Sequence, residues 1–207
     1  MTDDENKKSD IFNFKTEELY QSQDFHLNYL FDQYGSDKGT LSDSTDKPYT
    51  WFAHTYGGYY SKLFDHCRNS IKLVFECGIG TNNPNLVSSM NINAKPGASL
   101  RAWRDYFENA LVFGGDIDKN ILFEENRIKT FLFDQTNKKS ISKMWNEIKK
   151  NNFDLIVDDG LHTFDAAIIL FENSVSYLKD TGIYIIEDAQ DKELIKFKNF
   201  FDERLSS

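Results

Sequence analysis

Residues 72–80 have the sequence Lys72-Leu73-Val74-Phe75-Glu76-Cys77-Gly78-Ile79-Gly80, an apolar run that leads into an acidic residue and two spaced glycines. A short apolar run that ends at glycine predicts a buried strand. Two glycines in the following turn let the backbone pass close under a ligand, and the helix N-terminus beyond would offer free amide groups. We therefore predict a ligand-binding α/β domain with Gly78 and Gly80 in its ligand turn.

Four further apolar runs alternate with helical stretches downstream. We predict strands over Leu111–Asp116, Thr130–Asp134, Phe153–Asp159 and Ile183–Asp188. Strands separated by helices are typical of βαβ units, whose parallel sheet is covered by helices on both faces. The predicted fold class is α/β, a Rossmann-like parallel sheet flanked by helices. All five strands end in or just before acidic residues, at the sheet edge where such folds bind ligands.

The chain length of 207 residues fits one domain. We predict a flexible leader over residues 1–15 and a single domain over 16–207, with an N-terminal helical cap (16–70) and a Rossmann-like core (71–207). Within the cap we predict a helix from Thr16 to Tyr34, a polar loop from Gly35 to Tyr49 and a second helix from Tyr56 to Cys67.

Composition excludes several classes of protein. The chain has 33 acidic and 24 basic residues, a net charge of −9, which is the wrong sign for binding a phosphate backbone. Its two cysteines have neither disulfide-scaffold nor zinc-site spacing. No segment has the pattern of a signal peptide or approaches the roughly 18 apolar residues of a membrane span. We expect a cytoplasmic protein with neither a nucleic-acid nor a membrane partner.

The turn after the first strand favours S-adenosylmethionine over a dinucleotide. A dinucleotide fingerprint needs a third glycine near Asn83, which is absent. An acidic residue before Gly-x-Gly, here Glu76, suits a ligand with an ammonium group and no pyrophosphate. Asp116, at the end of the second strand, can accept hydrogen bonds from ribose hydroxyls. Residues 82–107 lie between this turn and Asp116. They form either a loop and an amphipathic helix that pack on the sheet, or a lid over the cofactor.

Carboxylates also follow the fourth and fifth predicted strands, in Asp158-Asp159-Gly160-Leu161-His162 and Glu187-Asp188. Carboxylates that converge at adjacent strand ends favour a bound cation, and oxygen ligands without cysteine indicate Mg²⁺ rather than zinc. His162 is placed to act as a general base on a group bound at that metal. The other interpretation is that Asp158 or Asp159 caps the next helix and that His162 is a partly buried residue that packs against its neighbours. His54 either lines the pocket or is an ordinary packed histidine.

Eight motifs form an ordered set over about residues 30 to 190: Tyr34–Thr40, His54–Tyr56, Phe75–Gly80, Gly97–Trp103, Gly114–Asp118, Asp134-Gln135, Asp158–His162 and Ile186–Asp188. As a set they resemble the metal-dependent class I O-methyltransferases of the macrocin and mycinamicin type, which methylate sugar hydroxyls on macrolides. The resemblance implies an S-adenosyl-L-methionine-dependent enzyme that uses Mg²⁺ to methylate a hydroxyl of a small acceptor, such as a sugar, a surface-glycan precursor or a secondary-metabolite precursor.

The resemblance also implies roles for individual residues. Asp159, Glu187 and Asp188 would bind Mg²⁺, and His162, with Asp159, would be catalytic. The cofactor-binding residues would be Lys38, Glu76, Gly78, Gly80, Ser99, Arg101, Asp116, Asp134 and Asp158, with Ser99 and Arg101 on the lid side. Two other functions stay open: an oxygenase like the cephalosporin hydroxylases, which share a related scaffold, and a non-catalytic cofactor-binding subunit.

The sequence departs from that family after the fifth strand. Only 19 residues follow Asp188, enough for one helix from Lys192 to Leu205, whereas the family's sheet has two more strands. Either the fold is shortened or the chain is truncated. The fifth strand would then form an exposed edge, which proteins normally cover. We expect a second copy of the chain in a homo-oligomer, or further sequence, to cover it.

Overall fold

The computed structural model describes residues 26–40 and 47–205. The predicted leader, the predicted start of the first helix at Thr16 and the middle of the polar loop lie outside the described residues.

A single sheet of six strands forms the centre of the molecule, in the order β3-β4-β2-β1-β5-β6. The strands are β1 Leu73–Cys77, β2 Leu111–Asp116, β3 Glu124–Glu125, β4 Ile128–Leu132, β5 Phe153–Asp158 and β6 Leu178–Ile186. The main helices are α1 His26–Tyr34, α2 Gly57–Phe64, α3 Ala98–Tyr106, α4 Lys138–Ile148, α5 Phe164–Ser174 and α6 Leu194–Leu205. Every strand pairing is parallel except that of β3 with β4. The predicted α/β class is confirmed.

The central strands β1, β2 and β5 are buried on both faces of the sheet, which agrees with their continuous apolar runs. Val74 and Phe75 are neighbours in β1 but belong to two different core clusters, because successive side chains of a strand point to opposite faces. Trp103 of α3 packs in the first cluster, together with α1 and α2. Trp145 of α4 packs in the second, together with α5. The helices therefore leave the carboxyl ends of the strands as the accessible edge.

Three predicted strands end one or two residues early, at Leu132, Asp158 and Ile186, and two begin before the predicted residue. β4 begins at Ile128 because an antiparallel hairpin with β3, turning at Arg127 with a φ of 60°, extends it at its start. β6 begins at Leu178 rather than at Ile183. An irregular register beside Phe153 lets the strand include Gly182 and the residues before it. Glycine and charged residues in these stretches break the apolar pattern, so periodicity alone misses both extensions.

β6 forms one edge of the sheet, and no strand of the described residues pairs with its outer side. On one face of this region, Phe197 of α6 packs edge-on against Phe164, and Phe201 packs edge-on against Phe171. The expectation that a second copy or further sequence covers the edge stays a prediction. None of the helices within residues 26–40 and 47–205 has the length and apolar character needed to cross a membrane.

Candidate active site

The strand ends bring four carboxylates to one edge of the sheet. Cys77 at the end of β1 pairs with Asp158 of β5, and Asp158 pairs with Ile186 of β6. Because β5 and β6 are parallel and in step, Asp159 and Glu187 lie side by side, as the sequence predicts. Glu76 lies two positions further back, level with Val157. Asp188 follows directly, with a φ of 51°.

The ammonium group of Lys38 lies among three of these carboxylates. Its Nζ donates to Asp159 Oδ2 at 2.5 Å and to Glu187 Oε2, and lies 3.6 Å from Glu76 Oε1. Burial lowers the pKa of Lys38, but the three negative charges outweigh burial and raise it well above its usual value. Lys38 is 2% exposed, and its ammonium group links the ends of β1, β5 and β6.

Two tyrosines from the start of α2 complete the contacts of the last strand end. Tyr56 donates to Asp188 Oδ1 at 2.5 Å, and Tyr60 donates to Glu187 Oε1. They are four residues apart, so they share one face of the helical turn. His54 Nδ1 lies 3.4 Å from the same Asp188 oxygen. Tyr60 is not among the residues predicted from the sequence, because its contact with Glu187 joins residues 127 positions apart.

Asp159, His162 and Asp188 form a group that could hold a metal ion, with one ligand atom of each lying within 4.8 Å of the others. His162 Nε2 is 3.2 Å from Asp159 Oδ1. Burial lowers the pKa of His162, but the hydrogen bond to Asp159 and the nearby negative charges outweigh burial and raise it. His162 has a φ of 56°, a left-handed conformation that is uncommon for a residue other than glycine and is concentrated at functional sites.

Glu187 does not belong to that group. It is 5% exposed, and its two oxygens accept hydrogen bonds from Lys38 and Tyr60. Of the three predicted metal ligands, the structure thus brings Asp159 and Asp188 together around open space and places Glu187 behind them.

A cavity of about 510 Å³ opens in front of the strand ends, within the range of small-molecule sites. The predicted site residues that line it are Gly78, Gly80, Asp116, Asp134, Asp159, His162 and Asp188. A recess of about 30 Å³, lined in part by Ser36, Asp37, Lys38 and Ser99, shares Asp37, Gly78, Gly80 and Asp159 with this main cavity. We call these two spaces the main cavity and the recess.

The turn after β1 can be built only with glycine at its first position. Gly78 and Gly80 have φ values of 80° and 81°. A Cβ atom on Gly78 would lie 2.0 Å from the carbonyl oxygen of Asp159, so the backbones of the two turns touch. This close approach brings the ligand turn and the metal-binding group into one site.

Asp116 and Asp134 line the same main cavity as the metal-binding group. The amide of Ile79 donates to Asp116 Oδ2 at 3.0 Å, and burial raises the pKa of this carboxyl. Asp134 Oδ1 accepts from the amide and hydroxyl of Thr136. Both carboxylates are therefore held in fixed orientations on the cavity wall.

Three predicted cofactor residues line neither space. Glu76 is fully buried, accepts from Ser99 Oγ at 2.8 Å and Trp103 Nε1 at 2.6 Å, and has a pKa that burial raises to about 7. Asp158 accepts from Gln135 at 2.6 Å, and burial raises its pKa to about 7. Arg101 pairs with Glu125 at 2.6 Å on the surface.

Residues 82–107 combine the two interpretations offered by the sequence. α3 packs on the sheet, with Leu100 and Trp103 fully buried. The loop before it lines the main cavity through Leu86 to Met90. The helix is therefore structural, and the loop is a wall of the site.

Comparison with known proteins identifies relatives of this chain, although no family model matches it. An 8-demethyl-8-alpha-L-rhamnosyl tetracenomycin-C 2'-O-methyltransferase of Streptomyces olivaceus is 29% identical over 79% of this chain and 40% of that protein. The demethylmacrocin O-methyltransferase of Streptomyces fradiae is 29% identical over 65% of this chain and 32% of that protein. The mycinamicin VI 2''-O-methyltransferase of Micromonospora griseorubida is 28% identical over 74% of this chain and 37% of that protein.

Among solved structures, the MycE methyltransferase of the mycinamycin biosynthetic pathway, in complex with Mg and SAH, matches with a TM-score of 0.65 at 23% identity. The match covers 86% of this chain and 45% of that one. The chain thus spans less than half the length of these proteins. The predicted resemblance is confirmed: the homologues of this chain are O-methyltransferases of the macrocin, mycinamicin and tetracenomycin type, and its fold is that of MycE.

Proposed function

We propose that the chain is an S-adenosyl-L-methionine-dependent O-methyltransferase, or the catalytic part of one, which methylates a hydroxyl of a small carbohydrate-bearing acceptor with the help of Mg²⁺. One observation carries the proposal. A cavity of about 510 Å³ is lined both by the glycine turn with Asp116 and by the Asp159, His162 and Asp188 group. A methyl donor and a metal-assisted acceptor need this adjacency.

The residues of the main cavity suit the cofactor. The backbone of Gly78 and Gly80 would lie against its amino-acid end, and Asp116 would accept hydrogen bonds from its ribose hydroxyls. Asp134 lies next along the wall, where it would face the base. Glu76 would act indirectly, because it holds Ser99, a residue that lines the recess, at 2.8 Å. Arg101 and Asp158 would support the site from outside the cavity.

The metal-binding group suits Mg²⁺, which prefers oxygen ligands. We propose Asp159, Asp188 and Glu187 as its ligands. Asp159 Oδ1 and Asp188 already face the cavity, and Glu187 would have to exchange its contact with Lys38 for the ion. When bound, the ion would lower the pKa of an acceptor hydroxyl.

The chain's own residues would position the acceptor and take its proton. His162 lines the cavity beside Asp159 and would accept the hydroxyl proton on its imidazole ring. An imidazole has its ordinary pKa near neutrality and can therefore act as a general base. Tyr56 and His54 hold Asp188 from the cap side. Holding both reactants in line would supply much of the rate.

The acceptor side of the cavity is partly apolar. Trp51, Leu86, Val87 and Leu161 line it, and Val87 is 82% exposed. Such a wall suits an acceptor whose hydroxylated ring is joined to an apolar body. The named relatives act on acceptors of that kind, a rhamnosyl tetracenomycin and a mycinamicin.

We also propose a cytoplasmic enzyme without a nucleic-acid or membrane partner. The net charge of −9 supports the absence of a nucleic-acid partner. The open edge of β6 supports a homo-oligomer, or an extension of the sheet by further sequence.

His54 favours a second candidate function, an oxygenase on the same scaffold. With His54 only 3.4 Å from Asp188, two histidines and two carboxylates lie around one space, which approaches the ligand set of non-haem iron enzymes. Iron-dependent oxidation without S-adenosylmethionine would support this candidate. The glycine turn and Asp116, which iron chemistry does not need, favour the methyltransferase.

The proposal is tested by methyl transfer from isotopically labelled S-adenosylmethionine to a panel of glycosylated and free-sugar acceptors. We expect labelled product with Mg²⁺, loss of turnover in excess EDTA and a severe defect in Asp159→Ala. Asp191→Ala is the matched control, because this exposed aspartate lies outside the site. Full activity in EDTA would remove the metal from the proposal, and failure of S-adenosylhomocysteine to bind would refute it altogether.

A further inference from the structure

The recess has the size and lining of a site for one small charged group. Its volume of about 30 Å³ is close to the share of one molecule in liquid water, which an ammonium group would fill and an adenine ring would not. The residues that line it include Ser36, Asp37 and Ser99, together with Lys95 and with Lys38, whose ammonium group is paired with Asp159 and Glu187. Because it shares the glycine turn with the main cavity, one ligand could extend into both spaces.

We propose that Asp37 binds the ammonium group at the amino-acid end of the cofactor. This inference rests on the proposed function and adds to it a binding residue from the N-terminal cap. Neither the sequence motifs of the core nor the metal-binding group assigns Asp37 a role.

The other carboxylates near the recess are already engaged. Glu76 is fully buried beneath it, with one oxygen accepting from Ser99 and the other from Trp103. Asp159 Oδ2 accepts from Lys38, and Asp159 Oδ1 faces His162 at 3.2 Å. An ammonium group that enters the recess would therefore find Asp37 as its available carboxylate among the described residues.

Asp37 is held in place with one oxygen left over. Its Oδ2 accepts from Trp51 Nε1 at 2.8 Å, and its main-chain carbonyl accepts from the His54 amide at 2.7 Å. Within residues 26–40 and 47–205, its Oδ1 has no hydrogen-bond donor, and no lysine or arginine nitrogen lies within 4.0 Å. The side chain is only 10% exposed. His54 Nδ1 lies 3.9 Å from Oδ2, on the side already occupied by Trp51. A buried carboxylate is costly, and a ligand ammonium group at Oδ1 would offset that cost.

The other proposed cofactor-binding carboxylates lie where the adenosine end of the ligand would bind. Asp116 and Asp134 line the main cavity but not the recess. A ligand whose adenosine faces those two carboxylates would pass over Gly78 and Gly80 and direct its amino-acid end toward Asp37.

Calorimetric titration of two ligands tests the inference. S-adenosylhomocysteine carries the amino-acid end, whereas 5′-methylthioadenosine keeps the adenosine and the thioether but lacks that end. The variant Asp37→Asn keeps an oxygen that can accept from Trp51 and removes the charge. We expect it to weaken S-adenosylhomocysteine at least about tenfold, the scale of a lost charge-assisted hydrogen bond, and to leave 5′-methylthioadenosine within about twofold. Asp116→Asn is the matched control and should weaken both ligands.

Three results would overturn the inference. If Asp37→Asn weakens both ligands equally, the residue acts only through the shape of the loop that carries Trp51 and His54. If it weakens neither, the ammonium group binds elsewhere. If the wild-type protein binds neither ligand, the proposed function fails and this inference fails with it. Binding of 5′-methylthioadenosine by the variant also serves as the check that it is folded.

Discussion

Replacing Lys38 by methionine tests whether a buried cation holds the three strand ends together. Methionine fills much of the lysine stem but leaves Asp159, Glu187 and Glu76 without their common ammonium partner. Removing one member of a buried ion pair costs about 3 to 5 kcal/mol, because the remaining charge is left uncompensated. The side chain of Lys38 is 3% exposed, so water cannot replace it. We expect the free energy of unfolding of Lys38→Met to fall by about that amount.

Urea unfolding in the presence of EDTA measures this difference, with Lys129→Met as the matched control. Lys129 lies 3.6 Å from Glu124, but the two side chains are 51% and 71% exposed. An exposed pair of this kind contributes about 0 to 1 kcal/mol. A loss below about 1 kcal/mol in Lys38→Met, or equal losses in the two variants, would refute the role given to Lys38.

Three further predictions concern the neighbouring residues. Burial raises the pKa of Asp158 to about 7, so the folded protein keeps a proton that the unfolded chain releases, and stability falls as the pH rises from about 4 to about 7. Asp158→Asn should flatten that slope in urea unfolding at pH 5 and pH 8, and an unchanged slope would contradict the assignment. Gly78→Ala should lower the free energy of unfolding by clearly more than Gly80→Ala, although both glycines have nearly the same φ. A Cβ at position 78 would lie 2.0 Å from the Asp159 carbonyl oxygen, whereas the nearest atom to a Cβ at position 80 is 3.5 Å away. Similar losses would argue against that contact. Added Mg²⁺ should raise the melting temperature of the wild-type protein in scanning fluorimetry but not that of Asp188→Asn, since a ligand stabilises only the state that binds it; an equal rise in both would remove Asp188 from the site.

Most of the strands, and the pairing of the last two, are readable from the sequence. Apolar runs bounded by glycine or acidic residues mark β1, β2 and β5 to within one or two residues, because a sheet buried on both faces needs such runs. The acidic residues at their ends follow from the same pattern, and the parallel order then places Asp159 beside Glu187. This part of the site depends only on local periodicity and on the rules of parallel sheets.

The contribution of the cap could not be predicted in the same way. Lys38 is 121 residues from Asp159 and 149 from Glu187, and Tyr56 is 132 from Asp188. Such contacts depend on how α1 and α2 pack against the sheet, and no periodic pattern within the cap reports that packing. The burial of Glu76 behind Ser99 and Trp103 is equally tertiary, which is why the sequence predicts direct cofactor contact for a residue that lies outside both spaces.

Anomalous diffraction tests most directly whether a methyl-donor site and a metal site share one cavity. Crystals would be grown with S-adenosylhomocysteine and Mn²⁺ as a scattering substitute for Mg²⁺. We predict one Mn²⁺ peak bounded by Asp159 and Asp188, with the ligand lying along Gly78 and Asp116 and its sulfur in the same cavity. A peak elsewhere, or a ligand outside this cavity, would contradict the account.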